Sequence, residues 1–347
     1  MKAAVFRAGG QPLTIEELPT PVPGVDEVRI RVAACGVCHT DLHYIDHGTP
    51  TFKPPPLVLG HEISGTIAGV GSGVKQFREG DPVLAAAVLT CGHCNACRAG
   101  RENICENGVM LGNHVDGGYA EYVCVRAKDV FPLPVTVPLA EGAIIADAIT
   151  TPYHAVVNRG RVRPGQNVLV FGCGGVGLNV VQMAAAVGAR VIAVDISDDK
   201  LQLAARLGAT EIINPSGVAR LDREVRGRTG GGGADVVFEV VGRADTQEQA
   251  FNCLRTGGRL VLVGFSPETM KLASGRVMFR ELDVVGSLGC RPLDYPRVIE
   301  MVRQGRLRLT ELVTHRFPLD GINAALDVLR SGAAVRTIVT PHEERLN

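Results

Sequence analysis

Residues 167–195 limit the possible folds more than any other stretch of the chain. Asn167-Val168-Leu169-Val170-Phe171 has the composition of a buried strand, and Gly172-Cys173-Gly174-Gly175-Val176-Gly177 follows it without a gap. A helical segment runs on to Val187, and Arg190-Val191-Ile192-Ala193-Val194 forms a second strand that ends on Asp195. The pattern G-x-G-x-x-G alone is weak. A strand before it, a helix after it and an acid about 20 residues on make it a dinucleotide fingerprint. Gly172 permits the tight turn, Gly174 admits a pyrophosphate to the backbone, and Gly177 lets helix and strand pack closely. Gly175 and Val176 complete the loop, whose helix N-terminus offers free N–H groups and a positive dipole to phosphate. Asp195 can accept hydrogen bonds from both ribose hydroxyls and repels a 2′-phosphate, so NAD is expected over NADP. Cys173 reads as a small space-filler.

The pattern continues downstream. Residues 198–207 form a helix with Leu201, Leu203 and Leu207, and 234–240 and 259–264 are further strands. Alternating strands and helices predict a parallel, doubly wound sheet. Upstream, Val28-Arg29-Ile30-Arg31-Val32 alternates apolar and charged residues as a half-buried strand does. Gly60, Gly65, Gly69, Gly71, Gly73 and Gly80 then punctuate short strands in the manner of a barrel. A chain of 347 residues suits two domains. The expected division is 1–154 with 295–347, around a nucleotide-binding domain at 155–294.

Charge and composition exclude several classes. Net charge is zero, which gives no electrostatic case for nucleic acid or a membrane surface. No run approaches the ~18 apolar residues of a spanning helix. Met1–Arg7 has no apolar signal-peptide core, so the cytoplasm is the expected location. Ten cysteines in such a chain point to metal ligands and free thiols, not a disulfide framework.

Four of those cysteines, Cys91, Cys94, Cys97 and Cys105, stand at C-x2-C-x2-C-x7-C. That spacing wraps four thiolates around one tetrahedral Zn²⁺ and leaves no open position, so this zinc is structural, in a lobe spanning 88–108. A second set is less regular: Cys38, His61 and Asp147. A catalytic zinc needs three protein ligands and one exchangeable position. A lone acid in the apolar stretch around Asp147 is costly to bury unless it is paired or coordinated. One thiolate and one carboxylate would neutralise the ion and leave it Lewis-acidic. Read one by one, the three are equally compatible with a core thiol, a satisfied core histidine and a helix cap.

The order G-V-C-H-T-D-L-H from Gly36, then Gly60-His61-Glu62, then the four-cysteine lobe and the nucleotide loop resembles the medium-chain, zinc-containing alcohol dehydrogenase family over essentially the full length. The resemblance implies a GroES-like catalytic domain built from both chain ends and a Rossmann domain between them. It implies Cys38, His61 and Asp147 on the catalytic zinc. Asp147 departs from the many members with cysteine there, and resembles a bacterial subgroup with an acid in this segment. Some of that subgroup oxidise secondary alcohols, and others act on cyclic hydroxyacyl-CoA substrates. In the implied mechanism hydride passes from the alcohol carbon to nicotinamide, and a proton leaves through Thr40, the nicotinamide ribose and His43. Asp41 resembles a carboxylate that orients a ligand, and Glu62 a near-zinc acid. His39 and Arg336 resemble pyrophosphate contacts and Lys200 an adenosine-ribose contact, with Val263 also in the cofactor set. The family also suggests a homodimer or homotetramer, in which strand 284–287 pairs across the interface.

Other classes fit less well. A zinc-independent quinone or enoyl reductase of the same superfamily generally lacks both metal sets. A zinc-finger module lacks a basic recognition helix here. A non-catalytic NAD sensor would not need Thr40 and His43 beside an open metal site. Ala87 stands where many family members carry a bulky pocket residue, which predicts a roomy site for secondary or cyclic alcohols.

Overall fold

The computed structural model describes residues 1–342. The chain divides into two compact units, one built from both chain ends and one from residues 151–289. The crossings fall at 150/151 and 289/290, a few residues before the expected 154/155 and 294/295.

The central unit holds a six-stranded sheet in which every neighbouring pair is parallel. From edge to edge the strands are Glu211–Ile213, Arg190–Val194, Asn167–Phe171, Ala234–Glu239, Leu254–Leu262 and Asp283–Gly286. In chain order this is 3-2-1-4-5-6, the doubly wound Rossmann arrangement, with Asn167–Phe171 at the point where the winding reverses. A sheet covered on both faces needs strands without polar alternation. Val168 to Phe171 and Val191 to Val194 are accordingly buried without interruption. Leu169, Phe171, Ile192, Val194, Val237 and Leu260 belong to one core cluster. The fourth predicted strand starts earlier than its apolar run suggests, at Leu254, which pairs with Ala234; Arg255-Thr256-Gly257-Gly258 then bulge out before the ladder resumes at Arg259 opposite Val236.

The unit from the chain ends is mostly antiparallel. Its main sheet runs Val130–Pro132, Pro82–Ala85, Glu62–Val70, Glu27–Val37, Arg336–Thr340 and Val313–Pro318, and Tyr122–Arg126 also pairs with Glu27–Val37. Along Glu27–Val37, Val28, Ile30, Val32 and Ala34 point inward while Arg31 is exposed. From Cys35 to Val37 both faces become buried. There the strand lies between Glu62–Val70 and Arg336–Thr340, with Gly36 opposite both Glu62 and Ile338. The returning tail is thus a structural wall beside the segment that carries Cys38. All ten cysteines are free thiols. No described helix is long and apolar enough to cross a membrane.

Candidate active site

The four-cysteine lobe brings its ligands together locally. The Cys91 and Cys105 sulfurs are 3.5 Å apart, Cys91 and Cys97 3.9 Å, and Cys94 and Cys105 3.9 Å. Zn–S bonds of about 2.3 Å put tetrahedral S···S edges at about 3.8 Å, so the four thiols already stand at zinc spacing. Backbone N–H groups of His93 and Cys94 donate to the Cys91 sulfur, at 3.5 and 3.3 Å. They pull its pKa down to about 5, which readies a thiolate for a cation.

The second cluster is assembled from three separate segments. Cys38 ends the run out of Glu27–Val37 and caps the helix His39–Ile45. His61 precedes the strand Glu62–Val70, and Asp147 ends the short helix Glu141–Ala146. Donor atoms of Cys38, His61, Glu62 and Asp147 all lie within 4.8 Å of one another. Asp147 Oδ2 stands 4.0 Å from the Cys38 sulfur and 3.6 Å from His61 Nε2. Three mixed S, N and O ligands on one Zn²⁺ would sit about 3.4–3.6 Å apart, so the set is slightly open but fits. His61 Nε2 is buried and makes no hydrogen bond, so this nitrogen lacks a protein partner where it meets the other donors. Burial alone lowers the His61 pKa, yet Asp147 and Cys38 beside the ring hold it well above 6.5. That much negative charge around an imidazole calls for a cation. His61 is almost fully buried, while the Asp147 side chain is 26% exposed, so the cluster is approached from the carboxylate side. The first cluster is closed by four sulfurs and suits structure. This one has room for a fourth, exchangeable group and suits chemistry.

The neighbours of these ligands are equally specific. Asp41, fully buried, accepts hydrogen bonds from the Cys38 N–H at 3.2 Å and the Tyr119 hydroxyl at 2.7 Å. Its other oxygen is 4.0 Å from His61 Nδ1, so Asp41 braces one ligand's backbone and faces the imidazole of another. Nothing in the sequence pointed to Tyr119. The helix His39–Ile45 carries Thr40 and His43 one turn apart. The Thr40 hydroxyl lies 3.6 Å from the Cys38 sulfur, and His43 Nδ1 meets His47 Nδ1 at 3.1 Å. His39 is exposed beside them.

Glu62 places a carboxylate oxygen among the Cys38, His61 and Asp147 donors, and it also meets Arg336, a pairing no motif suggested. The structure joins them in an ion pair in which Arg336 is 4% exposed and Glu62 not at all. Gly36 makes the pair possible, because a Cβ there would stand 2.0 Å from the Glu62 carboxylate. Arg336 is held inside the sheet on Arg336–Thr340, with one guanidinium nitrogen on Glu62 and its Nε buried without a hydrogen-bond partner.

In the central unit the nucleotide turn is sterically tight. Gly172 has φ of +93°, and a Cβ on Gly177 would come within 1.8 Å of the Gly172 carbonyl oxygen. No atom would meet a Cβ on Gly174 within 4 Å, so that side of the loop is open. Asp195 is fixed by the N–H groups of Cys173 at 2.6 Å and Ser197 at 2.9 Å. Asp195 and Lys200 line one cavity of about 1050 Å³ with Gly172, Ser216, Val241 and Arg243. Ile196 and Val241 line it too and are 76% and 45% exposed, which is unusual for large apolar side chains unless something flat covers them. The sequence reading missed both, although each stands just past the end of a strand flanking the reversal point, where ligands of such sheets bind. Val263 stands just past the strand Leu254–Leu262, its N–H on the Glu239 carbonyl, and does not line this cavity.

Comparison with known proteins places the chain in a family. Residues 24–135 match the family described as the alcohol dehydrogenase GroES-like domain, and 175–304 match zinc-binding dehydrogenase. The chain is 38% identical to an alcohol dehydrogenase of Geobacillus stearothermophilus over 96% of this chain and 97% of that one. It is 36% identical to one of Moraxella sp. over 98% of each chain. The crystal structure of an NAD-dependent alcohol dehydrogenase superposes with a TM-score of 0.93 at 34% identity, covering 99% of this chain and 100% of the other. With its two cysteine-bearing clusters, its GroES-like portion and its parallel dinucleotide fold, this chain belongs to the medium-chain zinc alcohol dehydrogenase family.

Proposed function

We propose that the protein is an NAD-dependent zinc alcohol dehydrogenase that interconverts a secondary or cyclic alcohol and its ketone. The convergence of Cys38, His61 and Asp147 on one partly open space carries this reading. Bound there, zinc supplies Lewis acidity toward the alcohol oxygen, and NAD in the Gly172–Asp195 site accepts the hydride. The chain's own groups do the rest. Thr40, beside Cys38, supplies a hydroxyl whose Oγ1 can take the alcohol proton as it gives up its own onward. His43, one turn on and partly open to solvent, has its pKa lowered by burial and by His47, so near neutrality it is a neutral acceptor for that proton. Asp41 holds the ligand segment in place. The two oxygens of Asp195 are held by Cys173 and Ser197 where they face a ribose, which favours NAD over NADP. Cys91, Cys94, Cys97 and Cys105 would hold a second, structural zinc.

The test is the initial rate of NADH formation from NAD⁺ across primary, secondary and cyclic alcohols, with zinc quantified on the same sample. The expected result is turnover fastest on secondary or cyclic alcohols with two zincs per chain. Turnover with NADP but not NAD would refute the cofactor assignment. Two zincs with bound NAD and no turnover on any alcohol would refute the substrate class and leave a specialised hydroxyacyl-CoA.

A further inference from the structure

Asp147 is the ligand that departs from the thiolate common in the family, and it sits at the end of a short helix on the more exposed side of the cluster. Something must fix it. The peptide just before it offers one candidate. The Ala146 carbonyl accepts a hydrogen bond from the Tyr295 hydroxyl at 2.9 Å and another from the Thr150 hydroxyl at 3.1 Å. The same Tyr295 oxygen accepts from the Ala87 N–H at 3.2 Å. One phenol therefore ties the backbone beside the third ligand to the backbone at Ala87, four residues before Cys91.

The phenol is itself well anchored. Tyr295 is 3% exposed, and its ring stacks on Phe131 at 4.6 Å with an interplanar angle of 11°. It lies in the first turn of the helix Asp294–Arg303. That turn is pinned by buried Asp294, whose carboxylate takes the Arg291 guanidinium at 2.8 Å and the Arg291 N–H at 3.0 Å. Burial, then the Cys290 thiol within hydrogen-bond reach, pushes the Tyr295 pKa well above 10, so the hydroxyl remains a donor. A buried hydroxyl that donates once and accepts once to two backbone groups has little freedom.

We propose that Tyr295 is a positioning residue for the metal ligand Asp147, holding the ligand's peptide at a fixed distance from the Ala87 segment so that the carboxylate is preset for the ion. This rests on the reading of Cys38, His61 and Asp147 as a zinc site.

The test is Tyr295→Phe in the full, zinc-loaded protein. The ring and its stack on Phe131 remain, and only the hydroxyl goes. Partners that orient metal ligands typically change affinity 10- to 100-fold when removed. Acting through a peptide, Tyr295 is expected at the lower end, with about tenfold faster loss of one zinc to a chelator. The zinc of the four-cysteine lobe should leave at the wild-type rate. Cobalt(II) placed in the Cys38 site should show shifted d–d bands in the variant, which a general loss of stability would not produce. Wild-type release rates with an unchanged cobalt spectrum would overturn the proposal. So would equal acceleration for both metals, which marks a purely structural role. If the wild-type protein holds no metal that Asp147→Ala removes, the zinc-site reading fails first, and this failure is distinguishable from one confined to Tyr295.

Discussion

At the scale of single residues, the two candidate metal clusters differ both in their donor groups and in closure. Cys91, Cys94, Cys97 and Cys105 surround one point with four sulfurs, whereas Cys38, His61 and Asp147 leave a side to solvent. Asp147→Ala is therefore expected to lower bound zinc from two per chain to one and to abolish turnover with little change in melting temperature. Cys94→Ser should lower the melting temperature through the lobe. Metal analysis and thermal melts on the same samples check both, and equal unfolding of the two variants would contradict the division. The buried Glu62–Arg336 pair gives a second prediction. Arg336→Met leaves a fully buried carboxylate without its guanidinium partner, a change that costs about 3–5 kcal/mol in buried pairs. Glu62→Gln combined with Arg336→Met should recover part of that loss, measured by denaturant unfolding of the single and double variants.

At the scale of elements, the loop after Ala234–Glu239 is organised by one carboxylate. Glu239 is fully buried, and its Oε1 accepts from the Val241 N–H at 3.0 Å, the Gly242 N–H at 2.9 Å and the Thr246 hydroxyl at 2.8 Å. Val241, which lines the nucleotide cavity, is thereby held in place. Burial outweighs these bonds and raises the Glu239 pKa above its ordinary 4.5. In the window between 4.5 and the folded value, the unfolded chain has released a proton that the folded chain still binds. Stability then falls as pH rises through that window and levels off above it. Glu239→Gln removes this contribution. Its stability relative to wild type should rise between pH about 4.5 and neutrality, seen as converging or crossing melting curves. A pH-independent difference would show that Glu239 is not the titrating group.

At the scale of the whole molecule, each unit carries one half of the chemistry. The antiparallel unit holds both clusters, and the central unit holds the nucleotide turn. Asp283–Gly286 is the last strand of its sheet, with no neighbour on its outer side among the described residues. Nearby Met278 and Phe279 are 73% and 83% exposed. An uncovered edge and a bare apolar surface favour pairing with a second copy. We propose that copies of the chain pair along this edge, so Val285→Lys is expected to lower the mass read by light scattering. An unchanged mass would place the interface elsewhere. The parallel sheet and its winding were legible in the sequence because they follow from local signals. Apolar runs of strand length, a glycine turn and an acid after the next strand all lie within residues 167–195. The four-cysteine lobe was legible for the same reason, since its ligands span only residues 91–105. Spacing could propose Cys38, His61 and Asp147 but could not join them. Cys38 and Asp147 are 109 residues apart, and only the meeting of a strand end, a loop and a helix end closes that gap. The Glu62–Arg336 pair spans 274 residues and the Tyr295–Ala146 bond 149, and neither residue type nor local pattern marks them in advance. What the sequence determined by itself is therefore every feature whose partners are near neighbours along the chain. What only tertiary structure decided is which distant polar groups share a dry interior, where each must find a partner because water is absent.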